Sequence, residues 1–214
     1  MTLNFRSIFY LFILPLGAGT ESARYIEVRH IFSDASRANI VRVIFTDRGL
    51  GLLTSLAFAG VAWLAITDTA AIWGIAAALF TMAAASVVAA RITSLDTRKI
   101  LAASTLSIVI HALTCTSVWL LCVGIGLQVD LGLVILAISA GVFGAIIPLA
   151  LAGVQAGDFV AAGVLDLSGI DTVTALTVAT LYYVTRLEGA CIGALLELRR
   201  SSAGLFAEIG KPAP

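Results

Sequence analysis

The sequence predicts an all-α protein, a polytopic transmembrane helix bundle with about four full spans and two re-entrant or broken helical segments. Three observations lead to this fold class. Hydrophobic residues make up 60% of the 214 residues and charged residues only 12%, about half the roughly 25% expected of a soluble domain. Long apolar runs alternate with short polar turns. Two further apolar segments are interrupted by proline and glycine, which a plain span does not need.

The first interrupted segment is at the N-terminus. Arg6 precedes an apolar run of about ten residues, too short to cross a membrane, and Pro15 and Gly19 then break it. Arg6 to Gly19 fits a signal peptide, with a basic start, a short apolar run and small residues. It also fits a re-entrant helix, and the topology of the rest of the chain favours that interpretation.

The next stretch, Thr20 to Arg48, is polar and basic. Its apolar residues recur at helical spacing in two sets, which are Tyr25, Ile26, Ile31 and Phe32, then Val41, Ile44 and Phe45. Ser33 and Asp34 lie between the sets and suit the end of one helix and the cap of the next. This pattern predicts two short amphipathic helices at the membrane surface.

Four apolar runs are then long enough to span a membrane. They are Leu50 to Ile66, Ala71 to Ala90, Ile100 to Gly124 and Val173 to Leu198. Between the third and the fourth lies the second interrupted segment, broken at Pro148, Gly153 and Gly157 and followed by Asp158. Residues 1–200 are predicted to form one transmembrane domain, and residues 201–214 a polar tail.

The distribution of basic residues predicts the topology. Three regions are basic and are placed inside: 24–48, 91–99 and Arg199-Arg200. The turns at 67–69 and 126–130 carry no Lys or Arg and are placed outside. The segment from Leu131 to Asp171 must then start and finish outside, as a hairpin bent near Pro148 to Gly157. The first interrupted segment must dip from the opposite face, which is the sequence pattern of an inverted repeat around a transport site.

Charged residues inside the apolar regions are the candidate functional groups. Arg186 and Glu188 lie within the last span, where charges are costly and mark functional sites or structural ion pairs. Residues two apart do not face each other on a helix, so each needs a partner from elsewhere. Asp158 and Glu21, beside the two breaks, are the candidate partners of Arg186.

Other residues in the spans have plainer interpretations. His111 fits a neutral side chain bonded to a neighbouring helix, with a proton relay as the alternative. Gly189 and Gly193 form a GxxxG pair that favours close helix packing. The three cysteines do not indicate a disulfide framework, and no hydrolase, phosphate-loop or metal-site motif occurs. We therefore expect no enzyme activity, no cofactor and no metal, and the zero net charge gives no sign of a nucleic-acid partner.

The order of motifs resembles a known family. Leu14-Pro15, Gly19, Glu21 and Arg24, followed by the Asp47-Arg48-Gly49-Leu50-Gly51 entry into a span, are similar to the lysylphosphatidylglycerol synthase transmembrane-region family, the flippase-like domains. Pro148 and Gly153 match the family's second motif. That motif usually continues with Ser, Gly and Arg-Glu, where this chain has Ala150, Gln155 and Gly157-Asp158. In the first motif, Glu21 stands in place of Asp. The chain lacks the soluble aminoacyl-transfer domain of the fused synthases and the usual spans before the first motif.

The resemblance implies a multi-pass protein of the cell membrane that moves a polar lipid between leaflets, the lipid being a phospholipid, an aminoacylated phospholipid or a glycolipid. The residues expected to meet the headgroup are Glu21, Arg24, Asp47, Arg48, Asp158, Arg186 and Glu188. The alternative is a reduced family member that serves as a non-transporting membrane subunit or scaffold. The expected partners are membrane lipids, and a homo-oligomer or a membrane-protein partner is left open.

Overall fold

The computed structural model describes residues 2–13, 24–26, 28–29, 36–67, 82–83, 86, 90–91, 96–147, 150–151 and 153–209. Within these ranges the chain is mostly helical, as predicted. The helices and strands with described bounds are α1 (Thr2–Ile13), α2 (Arg37–Ile66), α3 (Thr97–Gly124), α4 (Leu131–Gly144), β1 (Ala150–Leu151), β2 (Val154–Gln155), α5 (Ala156–Leu167) and α6 (Thr172–Ile209).

Two of these helices, α2 and α3, are long and apolar enough to cross a membrane. Each begins at a side-chain cap: the Ser36 hydroxyl accepts from the backbone N–H of Asn39 at 3.3 Å, and the Asp96 carboxylate accepts from that of Arg98 at 3.0 Å. α6 is longer than α2 and α3. Its mean hydropathy is lower than theirs because the charged residues Arg186 and Glu188 lie within it. The predicted span 71–90 lies largely outside the described residues.

The prediction of a separate surface helix around Val41 to Phe45 is wrong. Arg37–Ile66 is one unbroken helix of 30 residues, so this surface stretch and the first span are a single element. The polar Asp47-Arg48 step causes no break because a helix supplies its own backbone hydrogen bonds whatever the polarity of its surroundings. The predicted cap at residues 33–34 lies outside the described residues, and the cap seen in the structure is Ser36.

The second interrupted segment forms a helical hairpin, as predicted. α4 and α5 run antiparallel and pack closely along their length. Glycines allow this approach: a Cβ on Gly157 would collide with the backbone oxygen of Gly141, and a Cβ on Gly144 would lie 2.9 Å from the Cα of Gly157. Because α4 and α5 have 14 and 12 residues, each is about 18–21 Å long and shorter than a membrane core of about 30 Å.

The tip of this hairpin contains a small antiparallel β-ladder that the sequence does not predict. Ala150 pairs with Gln155 and Leu151 with Val154. Gly153 supports the tight turn with φ of +83°, a conformation that side-chain-bearing residues rarely adopt. The aromatic ring of Phe12, near the end of α1, lies so close that a Cβ on Gly153 would be 2.5 Å from it. The two interrupted segments therefore meet at their ends.

α1 packs antiparallel against the second half of α6. Gly193 contacts the backbone of Phe5, and farther along α1 the ring of Phe12 lies 5.5 Å from that of Tyr183. The prediction of close helix packing is confirmed for Gly193, whereas a Cβ on Gly189 would lie 3.6 Å from Ile8, an ordinary contact distance. α6 itself continues to Ile209, into the segment predicted as a polar tail.

The described helices leave the molecule with two chemically different ends. The acidic end comprises Thr67, residues 124–130 and residues 166–172; it contains three aspartates and no Lys or Arg. The basic end comprises residues 36–48 and 96–99 and Arg199. Between the two ends, buried side chains of α3, α4, α5 and α6 form the core, with Val118, Cys122 and Val134 almost fully buried.

Candidate functional site

A cavity of about 310 Å³ lies between α2, α3, the α4–α5 hairpin and α6. Most of its wall is apolar. Its polar lining comes from all four of these parts: Thr54, Ser55, Ser107, His111, Thr114, Gln155, Asp158, Tyr182 and Arg186. The cavity thus combines a largely apolar wall with a few polar groups and one ion pair, which suits a ligand that is itself part polar and part apolar.

The ion pair joins the hairpin to the last helix. Arg186 Nη2 donates to Asp158 Oδ2 at 2.6 Å, and their side chains are 17% and 11% exposed. The same carboxylate oxygen accepts from the backbone N–H of Gln155 at 2.8 Å, so the first turn of α5 holds it in place. Of the two partners expected for Arg186, the structure brings Asp158 to it, whereas Glu21 lies outside the described residues.

The bonding of the Arg186 guanidinium is incomplete. Its Nε is buried and has no hydrogen-bond acceptor, and one face of the group lies 4.9 Å from the ring centre of Tyr182. A buried donor without a partner costs about 1–3 kcal/mol. An anion that reached this guanidinium after a rearrangement of its neighbours would recover part of that cost.

Glu188 does not belong to this site. It is exposed on the outer surface of α6 and has no ion pair with any described residue. The spacing of two residues therefore predicts correctly that Glu188 and Arg186 face different directions. The structure does not support the expected place of Glu188 beside a lipid headgroup in the cavity.

His111 is buried on the cavity wall and bridges two helices. Its Nε2 lies 3.1 Å from the hydroxyl of Ser139 on α4, and its ring makes an edge contact with Phe58, with centroids 4.8 Å apart. This is the plainer of the two interpretations offered for His111, a hydrogen bond to a neighbouring helix.

A second ion pair lies at the basic end. Arg24 Nη1 is 3.2 Å from Asp47 Oδ2, with side chains 23% and 61% exposed, and the buried Nε of Arg24 has no acceptor. Asp47 precedes cavity-lining Thr54 by seven residues of α2, about 10 Å along the helix. Arg48 is the next residue of the same helix and stays a predicted headgroup contact.

Of the residues expected at the two breaks, the structure describes Gly153 and Gly157. Pro15, Gly19 and Pro148 lie outside the described residues. Gly153 forms the turn of the β-ladder, and Gly157 packs against α4. The family motif would place an arginine at Gly157, but here any side chain would collide with α4.

Sequence reasoning missed the hydroxyl groups of the cavity. Thr54 and Ser55 on α2 are buried, and each donates to the backbone carbonyl four residues earlier. Small hydroxyl residues are common in apolar helices, so no sequence signal separates those that line a cavity from those that pack.

Among the described residues, no cluster of His, Cys, Asp and Glu is arranged to hold a metal ion. Comparisons with known proteins returned no matching family model, no similar characterised protein and no similar solved structure.

Proposed function

We propose that the protein is a multi-pass integral membrane protein that moves a polar lipid between the leaflets of the cell membrane. The observation that carries the proposal is the Arg186–Asp158 ion pair. It lies inside a part-polar cavity, where a hairpin too short to span meets the last helix. Ionisable side chains within a membrane are rare, and those that face a cavity mark substrate or ion paths.

In the proposed topology, α2, α3, α6 and the run 71–90 are the four full spans. α1 and the α4–α5 hairpin are re-entrant. α1 has 12 residues and so reaches about 18 Å, and the hairpin reaches about 21 Å. They enter from opposite ends of α6 and touch through Phe12 and Gly153. Their combined reach of about 39 Å is close to the full thickness of a bilayer, about 40–45 Å.

The charge difference between the two ends favours one orientation. Lys and Arg accumulate at the cytoplasmic side of membrane proteins, so we place the basic end inside and the acidic end outside. A phospholipid phosphate arriving from the inner leaflet would then meet Arg24 and Arg48 first. It would then meet Arg186 deeper in the protein, at the cavity.

The chemistry of the two sites suits a phosphate-bearing headgroup. A guanidinium binds a phosphate by two parallel hydrogen bonds. At both Arg24 and Arg186 the Nε donor has no acceptor among the described residues. The resemblance to the flippase-like domains supports lipid as the cargo, and within that class an aminoacylated phospholipid or a glycolipid would also fit.

A non-transporting membrane subunit or scaffold is the second candidate. The observation that favours it is the short distance within the ion pair: Arg186 Nη2 already donates to Asp158 Oδ2 at 2.6 Å, and Gly157 stands where the family carries an arginine. In this case the pair would only fix the hairpin against α6.

Leaflet exchange of a fluorescent phospholipid in reconstituted vesicles tests the proposal. The wild-type protein should accelerate exchange over protein-free vesicles. Arg186→Met should reduce this acceleration by about tenfold or more, the effect of losing roughly 1.4 kcal/mol of interaction with the moving headgroup. Gly163→Ala is the matched control, since a Cβ at this position meets nothing within 4 Å.

The variants must elute from gel filtration like the wild type, which shows that they are folded. Wild-type vesicles with no acceleration for any phospholipid tested would refute lipid transport and favour the scaffold. Acceleration that Arg186→Met leaves unchanged would remove the ion pair from the transport path.

A further inference from the structure

The outer surface of α6 carries one acidic group in an otherwise largely apolar stripe. The stripe consists of Val184, Glu188, Cys191 and Leu195, all of them exposed. Their spacing of four, three and four residues places them in a line along the helix, the arrangement that a second helix packs against. We call this line the Glu188 stripe.

Glu188 lies far from both ends of the apolar part of α6. Counted from Val173 and from Leu198, it is about 22 Å and 15 Å along the helix. Carboxylates at such depths are rare, and they almost always face a bundle interior and have a partner. Glu188 faces outward instead and has no ion pair with any described residue.

Threonines exposed on the same helix, unlike Glu188, have hydrogen-bond partners. Thr177 and Thr180 are also exposed, but their hydroxyls donate to the backbone carbonyls of Val173 and Leu176 at 2.7 and 2.8 Å. A glutamate has no comparable bond within its own helix when it is ionised, because it is then an acceptor only.

We propose that the Glu188 stripe binds a transmembrane helix of another protein, and that this helix presents a Lys or Arg side chain at the depth of Glu188. The argument is charge complementarity: a cation there would pair with an acid that lies exposed within an apolar surface. The inference rests on the proposed assignment of α6 as a membrane span, but it does not depend on lipid transport and holds equally for a transporter or a scaffold.

A second copy of this chain is the less suitable occupant. Arg186, which lies close to Glu188 along α6, is directed into the cavity and bonded to Asp158. Arg48, Arg98 and Arg199 belong to the basic end. Two copies that met through the stripe would bring two carboxylates together instead of a carboxylate and a cation.

Disulfide capture in liposomes tests the proposal, with the full chain and synthetic transmembrane peptides. Cys191 is exposed and lies one turn from Glu188, whereas Cys115 and Cys122 are buried, so the protein supplies its own reporter. The peptides are apolar helices with a cysteine one turn on either side of the centre. They differ only in the central residue, Lys or Leu.

On mild oxidation, the Lys peptide should give about threefold more mixed disulfide with Cys191 than the Leu peptide, in line with polar interactions between membrane helices. Glu188→Gln should abolish this preference. Glu197→Gln, which removes a carboxylate about 13 Å farther along the same helix, should retain it.

Two results would overturn the proposal. One is an equal yield from the two peptides, or a preference that survives in Glu188→Gln. The other is a Cys191–Cys191 dimer of the protein that forms in preference to both peptides, which would assign the stripe to a second copy.

Discussion

Replacing Asp158 by alanine is expected to destabilise the protein more than replacing its partner Arg186 by methionine. In Asp158→Ala the arginine loses its one acceptor among the described residues, at 2.6 Å, in a place where its side chain is only 17% exposed. The Tyr182 ring stays nearby but cannot accept a conventional hydrogen bond. In Arg186→Met the aspartate keeps the Gln155 N–H at 2.8 Å.

The magnitudes follow from these contacts. Leaving a buried charge without its partner costs about 3–5 kcal/mol, which is the expectation for Asp158→Ala. Arg186→Met should cost about 1–3 kcal/mol, because the remaining carboxylate is still hydrogen-bonded. The double variant should lose only about 1–2 kcal/mol, mainly the acceptor at the start of α5, so it should be more stable than Asp158→Ala alone.

The two single variants and the double variant form a double-mutant cycle. Their free energies of unfolding can be measured in mixed detergent micelles by circular dichroism. The double variant should show a coupling of about 2 kcal/mol or more relative to the sum of the single changes. Additive losses, or a larger cost for Arg186→Met than for Asp158→Ala, would show that the ion pair does not bear on stability in the way the geometry indicates.

Two further predictions concern packing and topology. Gly193→Ala should displace α1 from α6 and cost about 1–3 kcal/mol in the same unfolding measurement, because the new Cβ meets the backbone of Phe5. Gly163→Ala, with open space around it, should be neutral or stabilising by up to about 1 kcal/mol, and equal losses in the two variants would contradict the packing argument. Single cysteines at Thr172 and Arg98 should react with an impermeant maleimide from opposite faces of the membrane; reaction from one face would refute the proposed topology.

The sequence predicts the hairpin because charge counting needs no knowledge of packing. The basic segments 91–99 and 199–200 fix both ends of the intervening chain, and Pro148 and Gly153 show where it bends. It also narrows the partner of Arg186 to two acids, Asp158 and Glu21, since few acids lie beside the breaks, and the structure shows the bond to Asp158. These are consequences of the high cost of a charge in an apolar environment, which leaves few arrangements open.

Features that depend on side-chain fit are not predictable in this way. The run 37–66 reads as two elements because Asp47 and Arg48 interrupt its apolar pattern, yet backbone hydrogen bonding carries the helix through them. The bond between His111 and Ser139 joins residues of different helices, and their mutual register is set by packing. The exposure of Glu188 is likewise a result of how α6 is rotated, which a single sequence does not reveal.

The packing of α1 against α6 has a consequence for how the chain is made. Phe5 contacts Gly193, so α1 rests on a helix that is synthesised long after it. At about 5–20 residues per second, the intervening chain takes roughly 10–40 s to synthesise. During that time α1, with 12 residues, is too short to be retained across the bilayer on its own. Its docking is therefore a late event that waits for α6, and a ribosome that stalls before α6 would leave α1 without the surface on which it packs.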